Sequence, residues 1–365
     1  MRLAPVLLLC LLARPLAAGV VDTSAGPMEI TPLLTGLEEP WAVALLPDGR
    51  FLVTERDAVR LTLVDGTQRQ DISGLPEVFV GGQGGLLDVM VPHDFAASRE
   101  IWLSYAVSPG IGAAGAFGFG RLSEDGTRLE GFTQVFADGP MPGTRHFGLR
   151  LVEAPDGSIF ATFGERGTGP GGMQAQYPTR AEGKVMHFRR DGSPATELPG
   201  ALPGVFSLGH RNPQGATLAP DGALLLVEHG PQGGDELNRV EEGRNYGWPV
   251  ITWGEQYGGG AIGEGGAKDG MEQPLHYWVP SIAPSGLMVY SGLLVPEWAG
   301  DIFTGSLNSD FISRLDPDTP APTGYAEERI AAPETDRVRD MTEAPDGAIW
   351  FLSVTDGTLY RMAPR

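Results

Sequence analysis

A Pro-Asp-Gly turn between two apolar segments recurs four times in the sequence, and no other feature constrains the fold as strongly. The four copies lie in segments 41–55, 150–165, 215–230 and 340–354. Proline presets φ for a turn, aspartate bonds its own backbone, and glycine accepts the positive φ that a chain reversal requires. Weaker Asp-Gly turns lie in segments 64–68, 124–129 and 190–194. The pattern predicts repeated β-hairpins.

The composition favours an all-β fold. Glycine and proline contribute 53 and 31 of the 365 residues, and few windows carry apolar residues at helical spacing. Repeated hairpins without long helices are typical of β-propellers, whose four-stranded antiparallel blades pack face to face. At roughly 45 to 60 residues a blade, about 340 mature residues predict six blades. We expect one six-bladed β-propeller domain over residues 26–365; seven blades or two β domains are the alternatives.

The first 18 residues have the pattern of a secretory signal peptide. Arg2 precedes an apolar run over 3–12, and small residues follow at 17–18. The run is too short to cross a bilayer. We therefore predict a signal peptide at 1–18, no membrane span, and a periplasmic or secreted mature protein. Removing the segment also removes Cys10, the single cysteine, so redox chemistry would need a borrowed cofactor.

The chain is strongly acidic. Its formal net charge is −20, and loss of Arg2 and Arg14 with the signal peptide makes it −22. Such a charge repels nucleic acid and anionic lipid. We therefore expect small-molecule partners and no nucleic acid.

A glycine-rich loop over 230–236 is a candidate cation site. Its sequence, Gly-Pro-Gln-Gly-Gly-Asp-Glu, could leave backbone carbonyls and the carboxylates of Asp235 and Glu236 facing one space. Calcium prefers six to eight such oxygens in flexible geometry. The loop therefore predicts calcium binding; the alternative is that the two carboxylates only cap turns.

Eight motifs, in a fixed order, carry a family resemblance that covers nearly the whole mature chain. They lie at 36–49, 81–89, 145–157, 207–215, 228–238, 245–249, 280–286 and 337–341, and include GGQGGLLDV, SLGHRNPQG, EHGPQGGDELN and NYGWP. The set resembles the soluble quinoprotein family of glucose and aldose sugar dehydrogenases, also called the glucose/sorbosone dehydrogenase family. The resemblance implies pyrroloquinoline quinone (PQQ) and calcium as cofactors.

The resemblance also implies roles for individual residues. His146 corresponds to the general base. The residues expected around the quinone are Gln83, Arg211, Asn212, Arg337 and Arg339. The carbonyls of Gly230 and Pro231 would bind the cofactor's calcium. Glu236 and the Tyr246 region resemble a second, structural calcium site.

These residue types suit the implied reaction. PQQ carries three carboxylates, which the planar guanidinium groups of Arg211, Arg337 and Arg339 would bind. His146 would remove the proton of an aldose C1 hydroxyl while hydride passes to the quinone C5, releasing a lactone. Arg211 would also stabilise charge on the acceptor oxygen, which makes it a catalytic residue. An external electron acceptor, whose identity the sequence does not reveal, would reoxidise the cofactor; a monomer and a homodimer are both compatible.

Three positions depart from the family pattern. Asn308 stands where a lysine would help to bind a quinone carboxylate. Arg145 precedes the base in place of a polar or acidic residue, and Leu149 replaces a small residue. A bulkier and more basic rim around His146 would either change the substrate or place a compensating cation near the cofactor.

Two other functions remain open at this point. A calcium-dependent propeller lactonase would use the Asp235 and Glu236 loop but would give Arg211, Arg337 and Arg339 no role. A non-catalytic carbohydrate-binding propeller would not depend on His146.

Overall fold

The structure is a computed structural model that describes residues 19–108, 110–167 and 172–365. The signal peptide predicted at 1–18 lies outside the described residues. None of the helices in the described ranges is long and apolar enough to cross a membrane.

The described strands form six antiparallel sheets. The chain starts with β1 (Gly19–Thr23) and β2 (Gly26–Leu34). Blade 1 contains β3 (Pro40–Leu45), β4 (Phe51–Glu55), β5 (Arg60–Asp65) and β6 (Gln68–Asp71). Blade 2 contains β7 (Leu86–Met90), β8 (Glu100–Val107), β9 (Ala114–Leu122) and β10 (Leu129–Ala137). Blade 3 contains β11 (Gly148–Glu153), β12 (Ile159–Phe163), β13 (Lys184–Phe188) and β14 (Val205–Leu208).

The remaining blades follow in chain order. Blade 4 contains β15 (Pro213–Leu218), β16 (Leu224–Glu228), β17 (Asp235–Val240) and β18 (His276–Trp278). Blade 5 contains β19 (Pro284–Val289), β20 (Ile302–Ser306), β21 (Ile312–Ala321) and β22 (Gly324–Ile330). Blade 6 contains β23 (Val338–Glu343), β24 (Ile349–Ser353) and β25 (Thr358–Pro364). The helices are α1 (Phe95–Ser98) and three short 3₁₀ segments, Met173–Gln176, Pro296–Trp298 and Pro333–Thr335.

Both ends of the described chain build blade 6. β2 pairs with β25, and β1 adds a fifth strand, in the order β1-β2-β25-β24-β23. The first strands of successive blades contact one another from β3 through β7, β11, β15 and β19 to β23, which contacts β3. The sheets therefore close into a ring, which confirms the predicted six-bladed propeller. The sixth blade has five strands where four were expected, because β1 is added to it. β1 also lies before position 26, where the propeller domain was expected to begin.

The four Pro-Asp-Gly segments are hairpin turns, as predicted. They join the first and second strands of blades 1, 3, 4 and 6. In each turn the aspartate carboxylate accepts a hydrogen bond from the backbone N–H two residues later, at 2.9–3.1 Å. The glycine that follows each aspartate has φ between 82° and 89°. Because these turns all lie at one end of the propeller, the segments that enter the first strands meet at the other end.

A buried arginine connects the blades inside the central channel. Arg150 Nη1 lies 3.3 Å from Asp88 Oδ1 and 2.9 Å from Asp340 Oδ1. Its Nε donates to the Gln214 carbonyl at 2.7 Å, and its guanidinium lies over the Trp41 ring at 4.1 Å. These five residues come from β11, β7, β23, β15 and β3. One side chain therefore bridges five of the six blades.

We predict that Arg150→Met lowers the free energy of unfolding by about 3–5 kcal/mol at pH 7–8, because it leaves two buried carboxylates without their cation. Denaturant unfolding measures this loss. Arg361→Met is the matched control, because its pair with Asp346 lies at the surface and should contribute less than about 1 kcal/mol. Equal losses in both variants would contradict the assigned role of Arg150.

Candidate active site

The residues predicted as the base and as quinone ligands lie where four first strands begin. Gln83 precedes β7 and His146 precedes β11. Arg211 and Asn212 precede β15, Arg337 precedes β23, and Arg339 lies within β23. The propeller therefore brings all six to the channel end opposite the Pro-Asp-Gly turns.

Two neighbouring cavities divide these residues. The base cavity, about 220 Å³, is lined by Arg145, His146, Glu165, Gly167, Gly172, Arg211, Pro231, Trp248, Gln256, Tyr257 and Ile262. The arginine cavity, about 160 Å³, is lined by Trp41, Arg56, Gln83, Leu87, Phe147, Gly148, Asn212, Gln214, His229, Leu307, Arg337 and Arg339. The expected base and most of the expected cofactor ligands thus lie side by side.

His146 is held in a defined orientation. Its backbone is left-handed, with φ of 52°, and its N–H donates to Gln83 Oε1 at 2.7 Å. Its Nδ1 lies 2.5 Å from Glu165 Oε1, and the two side chains are 12% and 3% exposed. Burial lowers the pKa of His146, and the positive charges of Arg211 and Arg145 lower it further, against the raising effect of Glu165. A neutral imidazole that donates Nδ1–H to Glu165 keeps Nε2 free to accept a proton.

Glu165 is a site residue that the motif analysis missed. β11 and β12 are the two arms of a Pro-Asp-Gly hairpin, and Gly148 pairs with Phe163. Continuing this register by two residues places position 165 opposite position 146. Gly164 permits the close approach, since a Cβ there would lie 2.1 Å from the His146 carbonyl oxygen. The register next to the turn, where Leu151 pairs with Ala161, would place position 166 opposite position 146. A register shift between Gly148 and Leu151 moves the pairing by one residue, so the hairpin alone indicates only the neighbourhood of Glu165.

Arg166 fixes the backbone that carries the histidine. Its side chain is fully buried, and its Nη1 lies 3.2 Å from Asp138 Oδ2. Its Nη2 and Nε donate to the carbonyls of Gly143 and Arg145, both at 3.4 Å. The guanidinium also lies 3.7 Å from the centre of the Phe147 ring. Segment 143–147 is therefore anchored on both sides of His146.

Arg211 lies between the base cavity and the 230–236 loop. Its Nη1 donates to the carbonyls of His229 at 3.0 Å and Gly230 at 2.6 Å. Its guanidinium lies 5.1 Å from the Trp248 ring centre, and its buried Nε has no partner among the described residues. Arg211 thus retains an unused donor.

Of the three arginines that line the arginine cavity, Arg56 pairs with Asp57, whereas Arg337 and Arg339 have no carboxylate partner. Arg337 Nη1 donates to the Leu307 carbonyl, and Arg339 Nη2 donates to Gln214 Oε1, both at 2.8 Å. Neither arginine forms an ion pair, although every aspartate and glutamate of the chain lies in the described residues. Burial, together with the charges of neighbouring Arg150 and Arg56, lowers the pKa of Arg339 well below its usual value. This combination is typical of a site for an anionic ligand.

The expectation that Asp235 and Glu236 face one space is wrong. They are consecutive residues of β17, so their side chains point to opposite faces of the sheet. Asp235 accepts hydrogen bonds from the backbone N–H groups of Gly230, Ile282 and Ala283 at 2.7–2.8 Å. Its carboxylate therefore shapes the 230–236 loop.

Glu236 faces a different carboxylate, that of Glu228. Asn238 Nδ2 donates to both, at 3.1 Å each. Burial and the charge of Glu228 raise the pKa of Glu236 to about 8. Tyr246 lines the same narrow space, but its hydroxyl donates to the Arg239 carbonyl at 2.6 Å. Within the described ranges, no three His, Cys, Asp or Glu residues are arranged to hold a metal ion.

The three departures from the family pattern have distinct environments. Asn308 Nδ2 donates to the Ser281 carbonyl at 3.3 Å. Leu149 is fully buried and packs towards Gly115, so the expectation that it enlarges the rim is wrong. Arg145 lines the base cavity and is absent from the lining of the arginine cavity.

Comparisons with known proteins agree with this fold and identify its family. The profile of the Glucose / Sorbosone dehydrogenase family matches residues 37–361. The chain is 39% identical to aldose sugar dehydrogenase YliI of Escherichia coli (strain K12) over 344 residues, which cover 90% of this chain and 91% of that protein.

Solved structures give the same result. The apo-form of the soluble aldose sugar dehydrogenase from Escherichia coli superposes with a TM-score of 0.85 and 37% identity, covering 93% of this chain and 100% of that chain. The PQQ-bound aldose sugar dehydrogenase from Streptomyces coelicolor superposes with a TM-score of 0.75 and 27% identity, covering 92% and 98%. The chain therefore belongs to the Glucose / Sorbosone dehydrogenase family, as its motifs predicted.

Proposed function

We propose that the mature chain is an exported quinoprotein dehydrogenase that oxidises the C1 hydroxyl of an aldose to a lactone with PQQ. One observation carries the proposal: a buried His146–Glu165 pair lies beside arginines that have no carboxylate partner. The family relatives named aldose sugar dehydrogenase support it, one of them in its PQQ-bound form. Export rests on the sequence of residues 1–18.

The residues present fit a tricarboxylate quinone. Arg337 and Arg339 offer guanidinium groups without ion pairs, and the buried Nε atoms of Arg339 and Arg211 have no partner among the described residues. Gln83 and Asn212 add amide groups to the same wall. Charge-assisted hydrogen bonds from arginine to carboxylate are about twice as strong as neutral ones. These five side chains would hold the cofactor.

Proton removal falls to His146. Its Nε2 would accept the proton of the C1 hydroxyl, and Glu165 would stabilise the resulting imidazolium through Nδ1–H. Arg211 would donate a hydrogen bond to the oxygen on which charge develops. Bound PQQ supplies the two-electron acceptor for the hydride that leaves C1, with calcium increasing its electrophilicity.

Two groups of residues would bind calcium. The carbonyls of Gly230 and Pro231 would contribute to the cofactor's ion; they now accept hydrogen bonds from Arg211 and from Ser281 Oγ. Glu236 and the backbone near Tyr246 would contribute to the second, structural ion. Oxygen donors of this kind suit calcium.

The two rival functions explain less. A lactonase gives no role to the unpaired Arg337 and Arg339, and a non-catalytic propeller gives none to the His146–Glu165 pair.

The reaction class is tested by reconstitution. Purified mature protein with PQQ and Ca²⁺ should reduce a redox dye only when an aldose is present. The EDTA-treated, quinone-free protein is the control. Reduction that does not require the quinone, or lactone hydrolysis by the quinone-free protein, would reject the proposal.

The separate roles of base and cofactor ligands are tested by substitution. His146→Ala should lower kcat about 10²- to 10⁴-fold, because a general base is lost, with little change in PQQ affinity. Arg339→Ala should weaken PQQ binding at least tenfold, because a charge-assisted hydrogen bond is lost. Exposed Arg121 provides the control, Arg121→Ala, in which both quantities should stay unchanged. Similar losses of affinity in the first two variants would contradict these roles.

The Glu165 carboxylate is tested by the pH profile. Because the pKa of His146 lies below its usual 6.5, wild-type kcat/KM should fall only below that pH. Glu165→Gln removes a group that raises this pKa, so the acid limb should move to still lower pH while maximal kcat falls. Glu153→Gln is the matched control, because Glu153 contacts His93 at the other end of the propeller. An unmoved or raised acid limb would argue against the assignment.

A further inference from the structure

Four arginines without ion pairs line the two cavities. They are Arg145, Arg211, Arg337 and Arg339. Most of the other described arginines form an ion pair with a carboxylate, as expected in a chain with 46 acidic and 26 basic residues. Other arginines without an ion pair, such as exposed Arg121, line neither cavity. The position of these four in cavities, where a ligand can enter, therefore indicates binding of an anion from outside the protein.

Arg145 differs from the other three in its position. Arg337 and Arg339 line the arginine cavity, and Arg211, which also lines the base cavity, contacts the 230–236 loop. Arg145 lines only the base cavity. Arg145 is therefore an additional cation, separate from the three arginines proposed to hold the cofactor.

The local structure directs the Arg145 side chain along the cavity wall. Its Cγ and Cδ lie 2.6 and 2.5 Å from where a Cβ of Gly167 would be, so only glycine there permits this course. The Arg145 carbonyl is held by Arg166 Nε at 3.4 Å. The single carboxylate lining the cavity, Glu165, is buried and engaged with His146. Among the described residues no carboxylate pairs with Arg145, and its exposed side chain can therefore meet a ligand.

The charge of Arg145 also acts at the reaction centre. It is one of the positive charges that lower the pKa of His146. A substrate group bound by Arg145 would thus lie in the cavity in which His146 works.

We propose that Arg145 selects aldoses that carry an anionic group remote from C1, such as a uronic acid carboxylate or a sugar phosphate. This inference rests on the proposed function and names its substrate class. A basic rim around His146 would either change the substrate or supply a cation to the cofactor in place of the lysine that Asn308 replaces. The proposal selects the first of these two consequences.

The test compares substrates that differ in one group. Reconstituted wild-type protein is assayed with D-glucose, D-glucuronate and D-glucose 6-phosphate. Wild-type kcat/KM should be at least fivefold higher for one anionic sugar than for glucose, and this preference should fall as NaCl rises. The anion that shows the larger preference identifies carboxylate or phosphate as the recognised group.

Arg145→Gln should remove the preference through KM, because the cation that binds the substrate is lost. Because kcat/KM is compared between two sugars within one variant, any effect of the substitution on the pKa of His146 cancels in the ratio. Arg145→Lys, which keeps the charge, should retain part of the preference. Arg121→Gln is the matched control, since it removes the same charge from an exposed arginine outside both cavities.

Two results reject the inference and are distinguishable from failure of the proposed function. Oxidation of all three sugars at equal kcat/KM, or a preference that survives Arg145→Gln, would overturn the role of Arg145 alone. Absence of any sugar oxidation would overturn the proposed function. In that case, calorimetric binding of glucuronate to the quinone-free protein still tests Arg145, and unchanged binding by Arg145→Gln would reject it.

Discussion

The neutralisation of Arg150 inside the central channel is the interaction on which the site depends. A propeller closes through its first strands, and Arg150 joins five of them through Asp88, Asp340, Gln214 and Trp41. The same guanidinium donates to the Arg339 carbonyl at 3.2 Å. The ion pairs that hold the channel together therefore also form the floor beneath the arginine cavity.

The arginines near the site form two groups that differ in their partners. Arg150 and Arg166 are buried with aspartates and fix the backbone, whereas Arg337, Arg339 and Arg145 line cavities without any carboxylate partner. Burial of the unpaired Arg339 is costly, because its guanidinium loses contact with water. A bound anion would offset that cost, so the cofactor and a charged substrate would both stabilise the folded protein.

The turn chemistry and the motifs were sufficient to predict the fold and the placement of the main site residues. Pro-Asp-Gly defined hairpins, and residues just before the first strands meet at one end of a propeller. The neighbourhood of Glu165 could have been found by counting outwards from the turn at Pro155, but the residue itself could not, because a register shift in β11 moves the pairing by one position. Arg166 and Arg150 could not, because their partners come from other blades. The prediction that the carboxylates of Asp235 and Glu236 face one space was wrong, because consecutive residues of a strand point to opposite faces of the sheet.

We propose that unpaired arginines hold a tricarboxylate quinone beside a histidine base. The most direct measurement is a titration of PQQ into the purified mature protein with Ca²⁺, followed by quinone absorbance at increasing NaCl. We predict saturable binding that weakens with salt, and a bound chromophore that an aldose bleaches. Absence of binding at low salt, or a bound quinone that no aldose bleaches, would contradict it.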